Sequence, residues 1–285
     1  MGGAPWWRRV FFAERGLRAG WSLLLYAGLF GLCFVAEQKA LHLIPVSEAW
    51  RPIVGEASAL VAVILATLAM ARVEGRSWYE FGLPVTLGFS RAPWIGAAWG
   101  IAGITVLVAL LQAFGVLRFD GIELHGGSIV GFAAMWGLMF LLVGLFEELL
   151  LRGYAQFTLA RGVGFWPAAI LLSALFGAAH LNNQGESWIG ALSAALLGLL
   201  MCLTLRRTGN LWFAVGFHAS FDWGESFLYS LPDSGQVVPG HLLHATLHGP
   251  SLLTGGSVGP EGSLGCLLVT GTLWLGFTRW RRQLG

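Results

Sequence analysis

The sequence predicts an all-α fold, a polytopic membrane bundle of about eight transmembrane helices with both termini cytoplasmic. Three observations predict it. The first is composition. Of 285 residues, 56% are hydrophobic and 11% are charged, against about 25% charged in an ordinary globular domain. A soluble chain of this size lacks the polar surface to cover itself, and a disordered one needs low hydrophobicity and high charge. The net charge of +2 offers no footprint for nucleic acid. The second observation is the recurrence of apolar segments near the length of about 20 residues that a membrane helix needs, at 20–36, 53–71, 93–115, 129–150, 165–182, 188–205, 211–230 and 263–278. The third is the distribution of Lys and Arg, which mark the cytoplasmic side. With the N-terminus inside, fourteen of the 17 fall inside, and only Lys39, Arg51 and Arg118 fall outside. A missed or invented span would invert everything after it and spoil that asymmetry.

Each element follows in order. Arg8, Arg9, Arg15 and Arg18 precede the first apolar run. The run is longer than a signal-peptide core and more spans follow, so it is read as a retained span. The start Met1-Gly2-Gly3-Ala4-Pro5-Trp6 has Trp where a myristoylation signal wants Ser or Thr. Residues Arg76 to Pro84 predict a short interfacial helix ended by Gly82-Leu83-Pro84. Small residues at Gly96, Ala97, Ala98 and Gly100, and at Gly190, Ala191, Ala194, Ala195 and Gly198, predict close helix approach. Residues 231–262 are rich in Gly, Pro and Ser and read as an outer loop. There His241, His244 and His248, spaced i, i+3, i+7, are read as an interfacial amphipathic turn in preference to a metal site. Cys33, Cys202 and Cys266 sit in apolar runs and are expected to be buried small hydrophobes. The whole chain, 1–285, reads as a single membrane domain, an integral membrane protein in contact with lipid; its compactness points to a bacterial plasma membrane.

Ionisable groups inside the spans carry the functional signal, because a charge at the bilayer centre costs at least about 2.5–3.5 kcal/mol. Three places carry them. Glu147, Glu148 and Arg152 lie in the fourth segment, His180 in the fifth, and His218 and Asp222 in the seventh. Glu148 and Arg152 are i, i+4 and can pair. Glu147 points about 100° away and is left with an environment suited to proton transfer. His218 and Asp222 are also i, i+4, and Glu225, a turn on, could join that face. The groups share a depth only if the fourth helix runs on to Arg161. Glu147 is then about 21 Å from Arg161, and His180 about 22 Å from Phe165.

Three ordered motifs, Glu147-Glu148-x-x-x-Arg152, Phe176-x-x-x-His180 and His218-x-x-x-Asp222, resemble those of the CAAX protease and bacteriocin-processing (CPBP) family of intramembrane proteases, relatives of the eukaryotic prenyl-protein endoprotease. The resemblance covers about 130–230. It implies a catalytic core at about 129–230 that hydrolyses a peptide bond of a membrane-associated, lipidated or leader-type substrate, by a glutamate-activated water without a cofactor. Glu147 would be general base, with His180 holding and polarising the water. His218 and Asp222 would stabilise the oxyanion, and Glu148 and Arg152 would orient the others. Ionised aspartate only accepts hydrogen bonds, so Asp222 must act either protonated or by orienting His218. Zinc held by Glu147, His180 and His218 is the alternative chemistry, although no His-Glu-x-x-His is present. The rival functions are a non-catalytic membrane scaffold on the same fold and a proton-coupled transporter, since such groups also relay protons.

Overall fold

The computed structural model describes residues 5–12 and 16–280. Met1 to Ala4, Arg15, Arg281 and Arg282, which entered the lipidation and charge readings, lie outside the described residues. Helices dominate: α1 (Trp6–Phe11), α2 (Ala19–Leu41), α3 (Arg51–Glu74), α4 (Arg91–Ala113), α5 (Gly127–Glu148), α6 (Gln156–Val163), α7 (Phe165–His180), α8 (Trp188–Thr208), α9 (Trp212–Trp223), α10 (Ser251–Thr254) and α11 (Leu264–Arg279). A π-helical stretch, Leu149–Ala155, joins α5 to α6, and another, Gly224–Leu228, extends α9. One antiparallel ribbon pairs β1 (Leu117–Ile122) with β2 (Leu243–Leu247).

Five helical units are long and apolar enough to cross a membrane: α2, α3, α4, the α5–π–α6 unit of 37 residues, and α8. The segments at 165–182 and 263–278 form shorter apolar helices, α7 and α11, of 16 residues each. The segment at 211–230 is α9, 12 residues long, plus its π extension. Large apolar side chains such as Leu32, Val106 and Leu171 stay more than half or about half exposed. In lipid that surface carries no penalty, while a helix satisfies its interior backbone groups within its own segment.

Small residues set the close packing. α4 lies along α9, and a β-carbon at Gly96 would collide with the Phe213 carbonyl. One at Gly100 would collide with the Phe217 carbonyl and the Ser220 hydroxyl. α7 lies as closely on α8, where a β-carbon at Gly177 would strike the Ala191 carbonyl. These contacts hold α9 and α7 in place by their backbones, and α9 and α7 carry the histidines.

The structure refines the sequence reading at several points. The fourth segment does not stop at 150. It continues helically to Val163, as the depth requirement predicts, with a break in backbone angles at Gly153 (φ −79°, ψ −123°). Residues 231–262 are no plain outer loop: they contribute β2, α10 and a 3₁₀ turn at Pro260–Gly262, and part of them folds inward. His244 lies in β2, paired across from Gly121, so the histidines share no helical turn. Strand pairing with a distant segment overrides the local spacing. His241 places Nδ1 3.2 Å from a Glu123 carboxylate oxygen. Cys33 is half-buried, while Cys202 and Cys266 are buried; all three are free thiols. The stretch at Arg76–Pro84 is a 3₁₀ turn, Trp78–Phe81, started by a Ser77/Glu80 capping box and ended at Gly82 with φ 96°.

Candidate active site

The three motifs come together around one cavity of about 440 Å³, lined by Glu147, Glu148, Arg152, His180, His218 and Asp222. Helix α5 supplies the glutamates. The π-helical stretch after it widens the turn and places Arg152 back over Glu148. Such widened turns recur where a helix must aim a side chain. Helix α7 brings His180 and α9 brings His218 and Asp222.

Arg152 and Glu148 are fully buried and bonded, Nη1 to Oε1, at 3.2 Å. The Arg152 guanidinium lies 4.6 Å above the Phe176 ring. The same ring meets His180 edge-on at 4.5 Å between centroids. Phe176 is therefore the spacer of its motif: its face supports the cation, its edge supports the imidazole, and its carbonyl accepts the His180 Nδ1 proton at 2.8 Å. A carbonyl only accepts, so Nδ1 of His180 carries the hydrogen and Nε2 keeps a lone pair in the neutral ring. Beside the guanidinium stands Gly198 of α8, where a β-carbon would collide with Arg152 Nη2 and come 3.3 Å from the Phe176 ring. Gly198→Ala is expected to cost about 1–3 kcal/mol through overpacking and to lower activity with it. Gly271→Ala, on α11 with open space around its β-carbon, is the control. Melting temperatures in detergent check the pair, and equal values for both variants would contradict the wedge.

His218 binds the two halves together. Its Nδ1 lies 3.0 Å from Glu148 Oε1. Its Nε2 lies 3.5 Å from Glu147 Oε2 and 3.4 Å from Asp222 Oδ2. Both nitrogens face carboxylate oxygens, which suits a ring that donates from each. The two longer distances leave the Nε2 hydrogen short of a committed bond. Glu147 keeps 26% of its side chain exposed while Glu148 has none, so the adjacent glutamates differ as the helix geometry predicts. Glu147 and His180 also line a second, more apolar cavity between α5 and α7, with Leu150, Leu151, Leu175 and Ala179. They stand where the two cavities meet.

His218 turns its two nitrogens to three carboxylates, with Nε2 3.5 Å from Glu147 Oε2; among the described residues no group of three His, Cys, Asp or Glu side chains is spaced to hold a metal ion. Glu225 forms no ion pair with His218; it is 1% exposed and faces Glu261, Asp233 and Asp222.

Three cavity carboxylates escaped the sequence reading. Glu56 of α3 lines the wall, and an acid four residues into the segment 53–71 was the signal for it. Asp233 and Glu261 line the side formed by residues 231–262. Nothing in a Gly- and Ser-rich stretch marks them, because their inward turn depends on distant contacts: Gly235 N–H donates to the Val258 carbonyl at 2.9 Å, and Ser234 N–H to Glu261 Oε1 at 2.5 Å. Burial pushes the Asp233 carboxyl up to about 6, against the pull of the Ser226 hydroxyl. Burial, and then the charges of Asp233 and Asp222, hold the Glu261 carboxyl well above the usual range.

The stretch that holds the three motifs is similar to a known family. Residues 129–224 match the type II CAAX prenyl endopeptidase family, Rce1-like. The matched stretch runs from α5 into the π-helical extension of α9 and contains all three motifs. Comparison with curated proteins gave no match. The match to this family and the five long apolar helices make this an integral membrane protein. The match implies CAAX-type intramembrane endopeptidase activity acting on peptide or protein substrates.

Proposed function

We propose that the chain hydrolyses a peptide bond of a membrane-associated substrate with a water activated by Glu147 and His180. It does so within a bundle of eight spans with both termini cytoplasmic, in a bacterial plasma membrane. One observation carries the reading: His218 bridges Glu147, Glu148 and Asp222 in a cavity that also holds His180. Glu147, the exposed glutamate, takes the proton of a water as general base. The His180 Nε2 lone pair accepts the water's other hydrogen and orients it. The water oxygen attacks the peptide carbonyl carbon, and the uncommitted Nε2 hydrogen of His218 meets the oxyanion that forms. Glu147 then returns its proton to the leaving amine. Glu148 and Arg152 lock each other, and Glu148 fixes the His218 ring through Nδ1. No metal takes part in this scheme.

The test is a panel of lipidated and leader-type membrane peptides offered to wild type and to Glu147→Ala. Cleavage in wild type and silence in the variant is the expected result, and it should survive strong chelation. A wild type that binds a partner but cleaves nothing would favour the scaffold reading, and loss of cleavage on chelation would favour zinc.

Asp222 lies 3.4 Å from His218 Nε2, a place where an amide oxygen can accept as a carboxylate does. Asp222→Asn is therefore expected to keep kcat within about tenfold of wild type. His218→Ala, which removes the oxyanion donor, should lose about 10²–10³-fold. A folded Asp222→Asn protein as inactive as His218→Ala would refute the orienting role.

A further inference from the structure

The backbone break at Gly153 falls one residue after Arg152. Helix α5 therefore fixes the approach to Arg152 from one side only. A π-helical turn is rare and occurs mostly as a single turn inside an α-helix, so the seven-residue stretch Leu149–Ala155 needs holding at both ends. Tyr154 stands just past the break. It is fully buried and lines neither cavity. Its ring packs on those of Tyr26 and Phe81, with centroids 4.7 and 4.9 Å away. Its hydroxyl donates to Glu74 Oε1 at 2.6 Å, and a bond to a carboxylate is about twice as strong as a neutral one. Arg161 of α6 donates from Nη2 to the same oxygen at 2.8 Å. Glu74 ends α3, and its side chain is 7% exposed. One carboxylate thus grips the chain twice beyond the break.

The turn Trp78–Phe81 completes the grip. Arg76 Nη1 lies 3.7 Å from Glu74 Oε2, and its guanidinium carbon lies 4.6 Å from the centre of the Phe81 ring. The Gly153 backbone runs against this turn, where a β-carbon would come 3.4 Å from the Phe81 carbonyl. The same segment fastens the start of α9. The Gly82 carbonyl accepts from Leu211 N–H at 2.7 Å, and the Pro84 carbonyl from Trp212 Nε1 at 2.8 Å. One short segment therefore holds both the chain after Arg152 and the helix that carries His218.

We propose that Tyr154 is a positioning residue: its bond to Glu74 holds the far end of the widened turn and so keeps Arg152 seated on Phe176 and paired with Glu148. The consequence for cleavage rests on the endopeptidase reading and extends it to a residue outside the cavity. Glu148 also meets His218 Nδ1 at 3.0 Å, so a shift of Arg152 passes on to the oxyanion donor. A misplacement of about 1 Å caused far from the chemistry can cost on the order of 10²-fold in rate.

The test uses the purified full chain with para-fluorophenylalanine in place of Phe176, whose fluorine resonance reads the cation above its ring. Tyr154→Phe keeps the ring and removes the bond to Glu74. Its fluorine resonance should move towards that of the double variant Arg152→Met, Glu148→Gln. On a membrane peptide its kcat should fall by about 10–10²-fold with KM unchanged. Its melting temperature in detergent should stay within about 4 °C of wild type. Tyr26→Phe, the same loss on the neighbouring ring, should leave resonance and kcat at their wild-type values. Glu74→Gln still offers an oxygen to the hydroxyl and should stay near wild type, while Glu74→Leu should match Tyr154→Phe. An unmoved resonance in Tyr154→Phe, or a loss confined to KM or to melting temperature, would overturn the positioning role. If wild type cleaves no peptide but the resonance moves as expected, the positioning stands and the endopeptidase reading falls.

Discussion

Glu147→Gln is expected to lower kcat by about 10²–10⁴-fold while leaving peptide binding intact. That is the range a positioned general base contributes. Glutamine keeps the volume and the hydrogen-bonding oxygen of glutamate but takes up no proton at neutral pH. The expectation is specific to Glu147, because its neighbour lacks the freedom to replace it. Glu148 has no exposed side-chain surface and is already bonded to Arg152 and His218. Glu147 faces two cavities and touches the cluster of motif residues through a 3.5 Å approach to His218 Nε2. Single-turnover cleavage and equilibrium binding, measured on the same variant, separate the two effects. Full activity in Glu147→Gln would remove the base from the scheme altogether.

The second large effect concerns stability. Arg152→Met is expected to cost about 3–5 kcal/mol, because it leaves the Glu148 charge buried without its cation. The melting temperature in detergent should fall by on the order of 10 °C. Arg152 is 1% exposed, stacks on Phe176 and bonds only Glu148, so no other contact replaces it. Glu148→Gln added to Arg152→Met should recover most of the loss, since a neutral pair of similar volume carries no buried charge. Glutamine can still accept from His218 Nδ1, which keeps the ring in place. If the double variant proves no more stable than Arg152→Met alone, the penalty lies in lost packing and the charge argument fails.

Much of the site was legible because its parts are local. Helical periodicity alone puts Arg152 one turn from Glu148 and Asp222 one turn from His218, and both pairs occur. The depth requirement extended the fourth helix beyond Arg152, and the helix does run on to Val163. Local spacing failed where strand pairing or loop folding intervened. The three outer histidines looked helical until β2 paired with β1. Glu225 was expected on the His218 face, yet it forms no ion pair with His218 and faces Glu261, Asp233 and Asp222. The role of Phe176 needed its ring placed between two partners from different elements.

The sequence by itself determined the solvent of this protein, the membrane, since charge scarcity over a whole chain is a property of composition and needs no coordinates. It also determined which polar groups matter, because each buried ionisable group in lipid has a cost that random placement would not incur. Only the tertiary structure decided how those groups divide the work. His218 chose its three carboxylates, Gly198 was revealed beside Arg152, and residues 231–262 turned Asp233 and Glu261 into the cavity. These are contacts between segments far apart in the chain. Their formation is set by close packing of α4 on α9 and α7 on α8, and no periodicity within one segment encodes it.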